Sequence, residues 1–283
     1  MNELRNHNQI STASLTDEQF DKLSKYITSR YGIKLPAVKK VMLQTRLRKR
    51  LTFLGLDDYG QYIEYLNKNE KENEFLIIEV STNKTDMFRE EEHFNFIKNE
   101  YLPEYIKENL VDRKLKIWSA GCSSGEEVYT IAITIEEFIR TNKPLNYSVF
   151  GTDISTKVVK KANSGIYKEI IIADIPFDIK KRYYLRSKDK VESKVRVKSF
   201  IRNKVDFASL NLMDKEYKTP EIYDIIFCRN VLIYFDKELQ EVVISRLLQR
   251  LRKGGLLFIG HSESLLGMDL PVEMIKPTLF RKI

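Results

Sequence analysis

Hydrophobic positions in the first quarter of the chain recur at helical spacing, from Leu15 to about Leu76, with no strand signal. Thr16 stands where a side-chain oxygen can cap the first helix. Pro36 sits where helices start, Leu43, Leu47, Leu51 and Leu54 then form an apolar stripe, and Gly55 is placed to end it. A short helix is predicted from about Asp57 to Asn67, and KNEKENE after it reads as an exposed turn. From about residue 112 the pattern changes to apolar runs of strand length alternating with helical segments. LKIWSAG (115–121), NYSVFGTD (146–153), VDFASLNL (205–212), YDIIFCRN (223–230) and GGLLFIGH (254–261) are the predicted strands, near-continuous in the manner of strands buried on both faces. Helices fit at 125–140, 155–163 and 237–252, and MIKPTLFRKI can add antiparallel edge strands.

Alternation of this kind predicts a doubly wound, Rossmann-like α/β sheet preceded by an all-α N-terminal domain. The helical domain is drawn at 1–78, with 1–13 polar and disordered, and the sheet domain at 79–283. The stretch KVRVKSFIRNKV alternates basic and apolar residues, which predicts a small antiparallel β insertion at about 176–204.

Composition narrows the function classes. The chain has 283 residues, 42% hydrophobic and 31% charged, enough for a real core. No run approaches the roughly 20 apolar residues of a membrane span, and the N-terminus lacks the apolar segment of a secretory signal. Its two cysteines, Cys122 and Cys228, are too few for a disulfide framework. A cytoplasmic protein is the expectation. The net charge of +8 suggests an acidic partner. Residues 34–50 hold seven Lys/Arg and no acid, and residues 180–204 carry a net +9. Lys39, Arg46, Lys49 and Arg50 share one face of the predicted helix after Pro36, beside the apolar stripe.

In open α/β sheets, ligands bind beyond the carboxyl ends of the strands, at the switch point. The predicted strands here end in polar residues: Gly121 running on to Glu126 and Glu127, then Asp153, Asn211, and Arg229 with Asn230. An acid in the position of Asp153 can accept ribose hydroxyls. A dinucleotide would bring a pyrophosphate, which Glu126 and Glu127 would repel, and the GxGxxG spacing is absent. A ligand with adenosine and positive charge fits both facts. S-adenosylmethionine, with its sulfonium and ammonium, is such a ligand. STNKTDMFREEEHF (81–94) gathers Asn83, Thr85 and Arg89, and reads as a polar helix start capped by Thr85 or Asp86, placed as a lid.

The chain resembles the CheR family, the bacterial chemotaxis receptor glutamate methyltransferases. The resemblance rests on NKTDMFR (83–89), WSAGCSSGEEVY (118–129), GTDIS (151–155), SLNL (209–212), FCRNVLIYF (227–235) and GHSES (260–264). It implies that Asn83, Thr85, Arg89, Glu126 or Glu127, Asp153, Asn211, Leu212, Arg229 and Asn230 bind S-adenosylmethionine. Glu127 is favoured over Glu126 as the closer contact. It further implies that Arg89 faces the reacting carboxylate and Tyr234 stands beside the transferred methyl, the product being a glutamyl γ-methyl ester and S-adenosylhomocysteine. The partner implied is the helical bundle of a chemotaxis receptor, and the basic face bearing Lys39, Arg46, Lys49 and Arg50 would dock on it. The insertion matches the family's small β-subdomain, which grips a receptor tail in some members. Its turn RSKDKVESKVRV lacks the glycines of tail-binding members, and recognition independent of a tail is expected.

The rival enzyme class, a nucleic-acid methyltransferase, draws on the positive charge. It would need a Pro-Pro-aromatic stretch where CRNVLIYF stands, or a nucleophilic Cys228, which reads better as a small strand-end residue. A non-catalytic cofactor-binding module is the third reading. Neither His93 nor His261 has a partner at metal-ligand spacing, so no metal is expected. His93 reads as helix packing, with His261 and Glu263 shaping the pocket.

Overall fold

The computed structural model describes residues 13–108, 113–188, 193–219 and 221–283. The polar leader therefore lies outside the described residues, Ala13 excepted, as does the centre of the glycine-free turn in the insertion. The chain forms two compact units. One runs to Thr82 and includes Tyr234–Asp236; the other holds Asn83–Ile233 and Lys237–Ile283.

The first unit is helical: α1 (Asp17–Tyr31), α2 (Lys40–Leu54), α3 (Tyr59–Lys68) and α4 (Glu72–Val80). Thr16 caps α1 in a full capping box with Gln19. Gly55, at φ 67°, ends α2 in the left-handed conformation. Asp58 caps α3 by accepting from the N–H groups of Gly60 and Gln61. Phe20, Leu23 and Ile27 of α1 close on Leu43, Leu47 and Leu51 of α2, with Tyr59, Tyr62, Leu76 and Val80 filling the same core.

The predicted exposed turn at KNEKENE is corrected. The turn is brief and α4 starts at Glu72, whose side chain is buried. Arg50 grips that carboxylate through two hydrogen bonds, Nε to Oε1 at 2.8 Å and NH2 to Oε2 at 2.6 Å, and the Tyr62 hydroxyl donates to it at 3.0 Å. Arg50 also lies against the rings of Phe53 and Phe75. Removing one member of a buried pair leaves an uncompensated charge. Arg50→Ala is expected to destabilise the helical unit by about 3–5 kcal/mol, read from urea unfolding; a change below about 0.5 kcal/mol would show the pair to be dispensable.

The second unit opens with α5 (Glu92–Phe96), a π-helical turn over Ile97–Tyr101, and α6 (Leu102–Lys107). Then come β1 (Leu115–Ala120), α7 (Glu126–Ile139), β2 (Tyr147–Asp153), α8 (Thr156–Ser164), β3 (Ile166–Lys168), α9 (Phe177–Tyr183), β4 (Tyr184–Arg186), β5 (Lys194–Val197), α10 (Ser199–Arg202) and β6 (Val205–Ser209). The unit closes with β7 (Tyr223–Cys228), α11 (Lys237–Gln249), β8 (Leu251–Ile259), β9 (Val272–Lys276) and β10 (Leu279–Lys282). The main sheet has seven strands in the order β6-β2-β1-β7-β8-β10-β9. Its first five are parallel, and β10 pairs antiparallel with both β8 and β9. Every residue of β7 is buried, as expected of a strand covered on both faces. The chain leaves β1 for β2 on one side and returns to β7 on the other, so the switch point lies at the carboxyl ends of β1 and β7.

The small antiparallel sheet has the order β3-β5-β4. It begins at Ile166, upstream of the alternating stretch, because the exposed residues of β3 flank a single buried tyrosine and give only a brief signal. Among the described residues no helix is long and apolar enough to cross a membrane.

Candidate active site at the switch point

The loop after β1 turns sharply. Gly121 and Gly125 lie at φ 86° and 91°, and Ser123 at 49°. The N–H groups of Gly121 and Cys122 both donate to the Thr152 carbonyl, at 2.7 and 2.8 Å, tying the loop to the end of β2. A Cβ on Gly121 would stand 2.4 Å from Val231 Cγ2, so only glycine lets these two backbones approach. Asp153 braces the same turn: Oδ2 accepts from Ser123 N–H and Oδ1 from Ser155 N–H, both at 2.9 Å. Burial raises its carboxyl above the ordinary value, and these N–H groups oppose that rise.

Beneath the switch point lies Arg229, its side chain only 2% exposed. It donates through NH1 to Glu127 Oε2 at 2.9 Å, through NH2 to Glu90 Oε2 at 2.9 Å, and to the Arg89 carbonyl at 2.5 Å. Ser119 donates to the other oxygen of Glu127 at 2.7 Å. Two carboxylates thus surround one guanidinium, and the locality carries net negative charge. Arg229 also lies against the rings of Phe94 and Phe227.

The next residues are held by Glu263, which is buried. Its Oε2 accepts from Gly260 N–H at 2.6 Å and Asn230 N–H at 2.9 Å; its Oε1 accepts from Val231 N–H at 2.8 Å and Leu232 N–H at 2.7 Å. Burial pushes its carboxyl up, against the pull of those four N–H groups. Asn230 is thereby kept at φ 58°. The described non-glycine residues at positive φ are Phe88, Glu90, Ser123, Asn230 and Thr278. All belong to this unit, and three of them belong to the loop, the Arg229 surround and the Glu263 clamp. Strain of this kind persists where surrounding bonds overdetermine it, and it gathers at functional sites.

Comparison with known proteins decides the family. The CheR methyltransferase SAM binding domain matches residues 83–280, and the CheR methyltransferase all-alpha domain matches residues 18–81. The chain belongs to the CheR methyltransferase family. It is similar to the chemotaxis protein methyltransferase of Borreliella burgdorferi, 36% identical over 95% of this chain and 95% of that one. The proteins so named in Salmonella typhimurium and Escherichia coli are 40% and 39% identical over 89% of this chain, covering 85% and 86% of theirs. This CheR-family chain is an S-adenosylmethionine-dependent methyltransferase. Its site fits that donor: Gly121 offers bare backbone, Asp153 sets a carboxylate at the end of β2, and the carboxylates around Arg229 suit a cationic ligand.

Several residues expected at the site of a CheR-family enzyme are placed differently from the sequence reading. Glu126 is 1% exposed, enclosed by Ser124, which bonds it at 2.8 Å, and by Lys161. It has no surface left for a ligand, and burial raises its carboxyl. Glu127, on the side facing Arg229, is the more open of the pair. Arg229 is buried, with its guanidinium taken up by Glu127, Glu90 and the Arg89 carbonyl. The segment 81–86 is irregular, and no helix starts at Thr85 or Asp86; α5 begins only at Glu92. The Asn83 carbonyl accepts from the Ser123 hydroxyl at 3.1 Å, Thr85 is partly buried, and Arg89 donates to the Lys84 carbonyl at 3.2 Å. Asn211 follows β6 and accepts Met213 N–H at 3.0 Å, beside the buried Leu212. Tyr234 closes a 3₁₀ turn and groups with the helical unit, where its carbonyl accepts Lys34 N–H at 3.1 Å.

On α2 and the turn before it, the expectation of four partner-facing cations is corrected for two. Arg50 is spent on Glu72, and Arg46 donates to the Glu79 carbonyl at 2.7 Å, closing the end of α4. Lys39 and Lys49 are exposed, alongside Val38, Val41 and Phe53. Cys228 is fully buried at the end of β7, and burial raises its thiol well above the ordinary value, which denies it a nucleophilic thiolate. The sequence reading does not single out Glu90 as an organiser of the site; Glu263, expected there to shape the pocket, holds the N–H groups of Gly260 and of Asn230 to Leu232. Glu90 follows NKTDMFR and Glu263 lies within GHSES, but only the fold shows what each holds.

Proposed function

We propose that this protein transfers the methyl group of S-adenosylmethionine to glutamate side chains of chemotaxis receptors, on the cytoplasmic side of the membrane. The carrying observation is the match of both family domains together with the Gly121 loop, Asp153 and the Glu127–Arg229–Glu90 cluster at one switch point. The donor supplies, when bound, an electrophilic methyl on a sulfonium sulfur. A glutamate side chain has pKa near 4.3 and is already an anion at neutral pH, so the acceptor needs no general base. The protein's task is alignment. Asp153 takes ribose hydroxyls, Asn211 and Leu212 flank the base, Asn83, Thr85 and Asn230 add polar contacts, and Glu127 draws the positive charge. Arg89 holds the acceptor carboxylate by paired hydrogen bonds, and Tyr234 stands beside the reacting methyl. The hold must be modest, since tight binding of the ground state would slow transfer.

The receptor surface proposed is its helical bundle, acidic where the methylated glutamates lie. Lys39 and Lys49, with Val38 and Val41 between and beside them, form the matching face of this chain. Replacing both lysines by alanine is expected to weaken receptor methylation several-fold and flatten its salt dependence, with S-adenosylhomocysteine affinity unchanged. An equal fall in both would end the docking idea.

The reaction is tested with donor carrying a tritiated methyl and receptor-bearing membranes. Base-labile label released as methanol supports the ester. Base-stable label on RNA or DNA, or no label despite cofactor binding, overturns it.

A further inference from the structure

Glu90, which also holds Arg229, meets His93 and His261 where the turn before α5 passes the end of β8. Ligand atoms of Glu90, His93 and His261 lie within 4.8 Å of one another. Glu90 Oε2 is 3.8 Å from His93 Nδ1 and 3.9 Å from His261 Nε2. The His93 side chain is 6% exposed, and its Nδ1 is buried without a hydrogen-bond partner. An unmatched buried polar atom costs about 1–3 kcal/mol.

We propose that Glu90, His93 and His261 bind one divalent transition-metal ion of the zinc or cobalt type, with the exposed Glu92 at the open side. Two imidazoles and a carboxylate suit such an ion, whereas magnesium and calcium prefer oxygen ligands throughout. The tautomer is set for it. The Thr278 hydroxyl donates to the Pro277 carbonyl at 2.6 Å, so its oxygen accepts from His93 Nε2–H at 2.8 Å. That leaves the Nδ1 lone pair facing Glu90 and His261. Outer contacts of this kind orient metal-bound imidazoles.

Ligand atoms around a tetrahedral zinc stand about 3.3 Å apart, given bonds of roughly 2.0 Å. The two Glu90 contacts, at 3.8 and 3.9 Å, close with a shift of about half an ångström, while the two imidazoles, whose ligand atoms lie within 4.8 Å, must approach further; His261, with its side chain 52% exposed, has room to move. Glu92 Oε2 is already 4.0 Å from His261 Nε2. Arg229 is the competing cation, since it donates to the same oxygen of Glu90. Its NH1 bond to Glu127 gives it a second anchor, and the carboxylates of Glu90, Glu92 and Glu127 outnumber its single charge.

The test is titration of the tag-free, metal-stripped full chain with cobalt(II), followed by its visible d–d bands, and with zinc(II) by calorimetry. The expected result is one equivalent bound, lost in both His93→Gln and His261→Ala. Thr278→Val is expected to weaken binding about tenfold, which an adventitious surface site would not do. His261→Ala changes a half-exposed ring, so its metal-free circular dichroism should match the parent and exclude misfolding. No saturable binding by the parent chain, or binding undiminished in His261→Ala, would overturn the site.

Discussion

Arg229→Ala is expected to abolish cofactor binding and methyl transfer and to destabilise the sheet unit by about 3–5 kcal/mol. The guanidinium is enclosed, and it ties Glu127, Glu90 and the Arg89 carbonyl together from one point. Its removal leaves two carboxylates facing each other with no cation between them. They would then draw protons or push apart, and either response moves the turn that carries Arg89. Arg229→Lys should rescue poorly, because one ammonium cannot reproduce a planar fork reaching three acceptors in different directions. Calorimetry with S-adenosylhomocysteine and urea unfolding together read the effect. Cofactor affinity within about twofold of the parent, an energy difference near 0.4 kcal/mol, would mean that Arg229 does not organise this site.

The second large effect is expected at Glu263. One carboxylate satisfies four backbone N–H groups, and three of them belong to consecutive residues, Asn230 to Leu232. A buried donor left without an acceptor costs about 1–3 kcal/mol. Glu263→Gln keeps one acceptor oxygen but turns an NH2 toward two of those donors. It should lower stability by several kcal/mol in sum, about 1–3 kcal/mol for each donor lost. Asn230 would then leave its left-handed conformation, and cofactor binding should fall with it. Val231 also moves, since its side chain stands where Gly121 admits no Cβ. Stability within about 0.5 kcal/mol of the parent would show that the clamp is replaceable.

Both sites follow from bonds between distant segments, and that is where the sequence reading was weakest. The glycine loop, Asp153 and the apolar runs were legible because each is a local pattern: a glycine at positive φ, an acid at a strand end, a near-continuous hydrophobic strand. The start of α5 was not. Thr85 and Asp86 have the right chemistry for a cap, yet Phe88 and Glu90 take left-handed geometry in a turn tied to Arg229, and the helix is delayed to Glu92. Glu72 was misplaced for the same reason. In a run of lysine, asparagine and glutamate it looks solvated, and only Arg50 and Tyr62, brought in by the helical packing, make its burial tolerable.

The sequence alone determined the helical first unit, the main strands and their parallel logic, the family and the set of strand-end residues, because periodicity and short motifs are local. Tertiary structure decided which of those side chains face the ligand and which serve the fold. Glu126 and Glu127 are neighbours of one chemistry, yet Ser124 encloses one and Arg229 pairs the other. The difference is burial and partner choice, and both are set by residues that meet only when the chain has closed on itself.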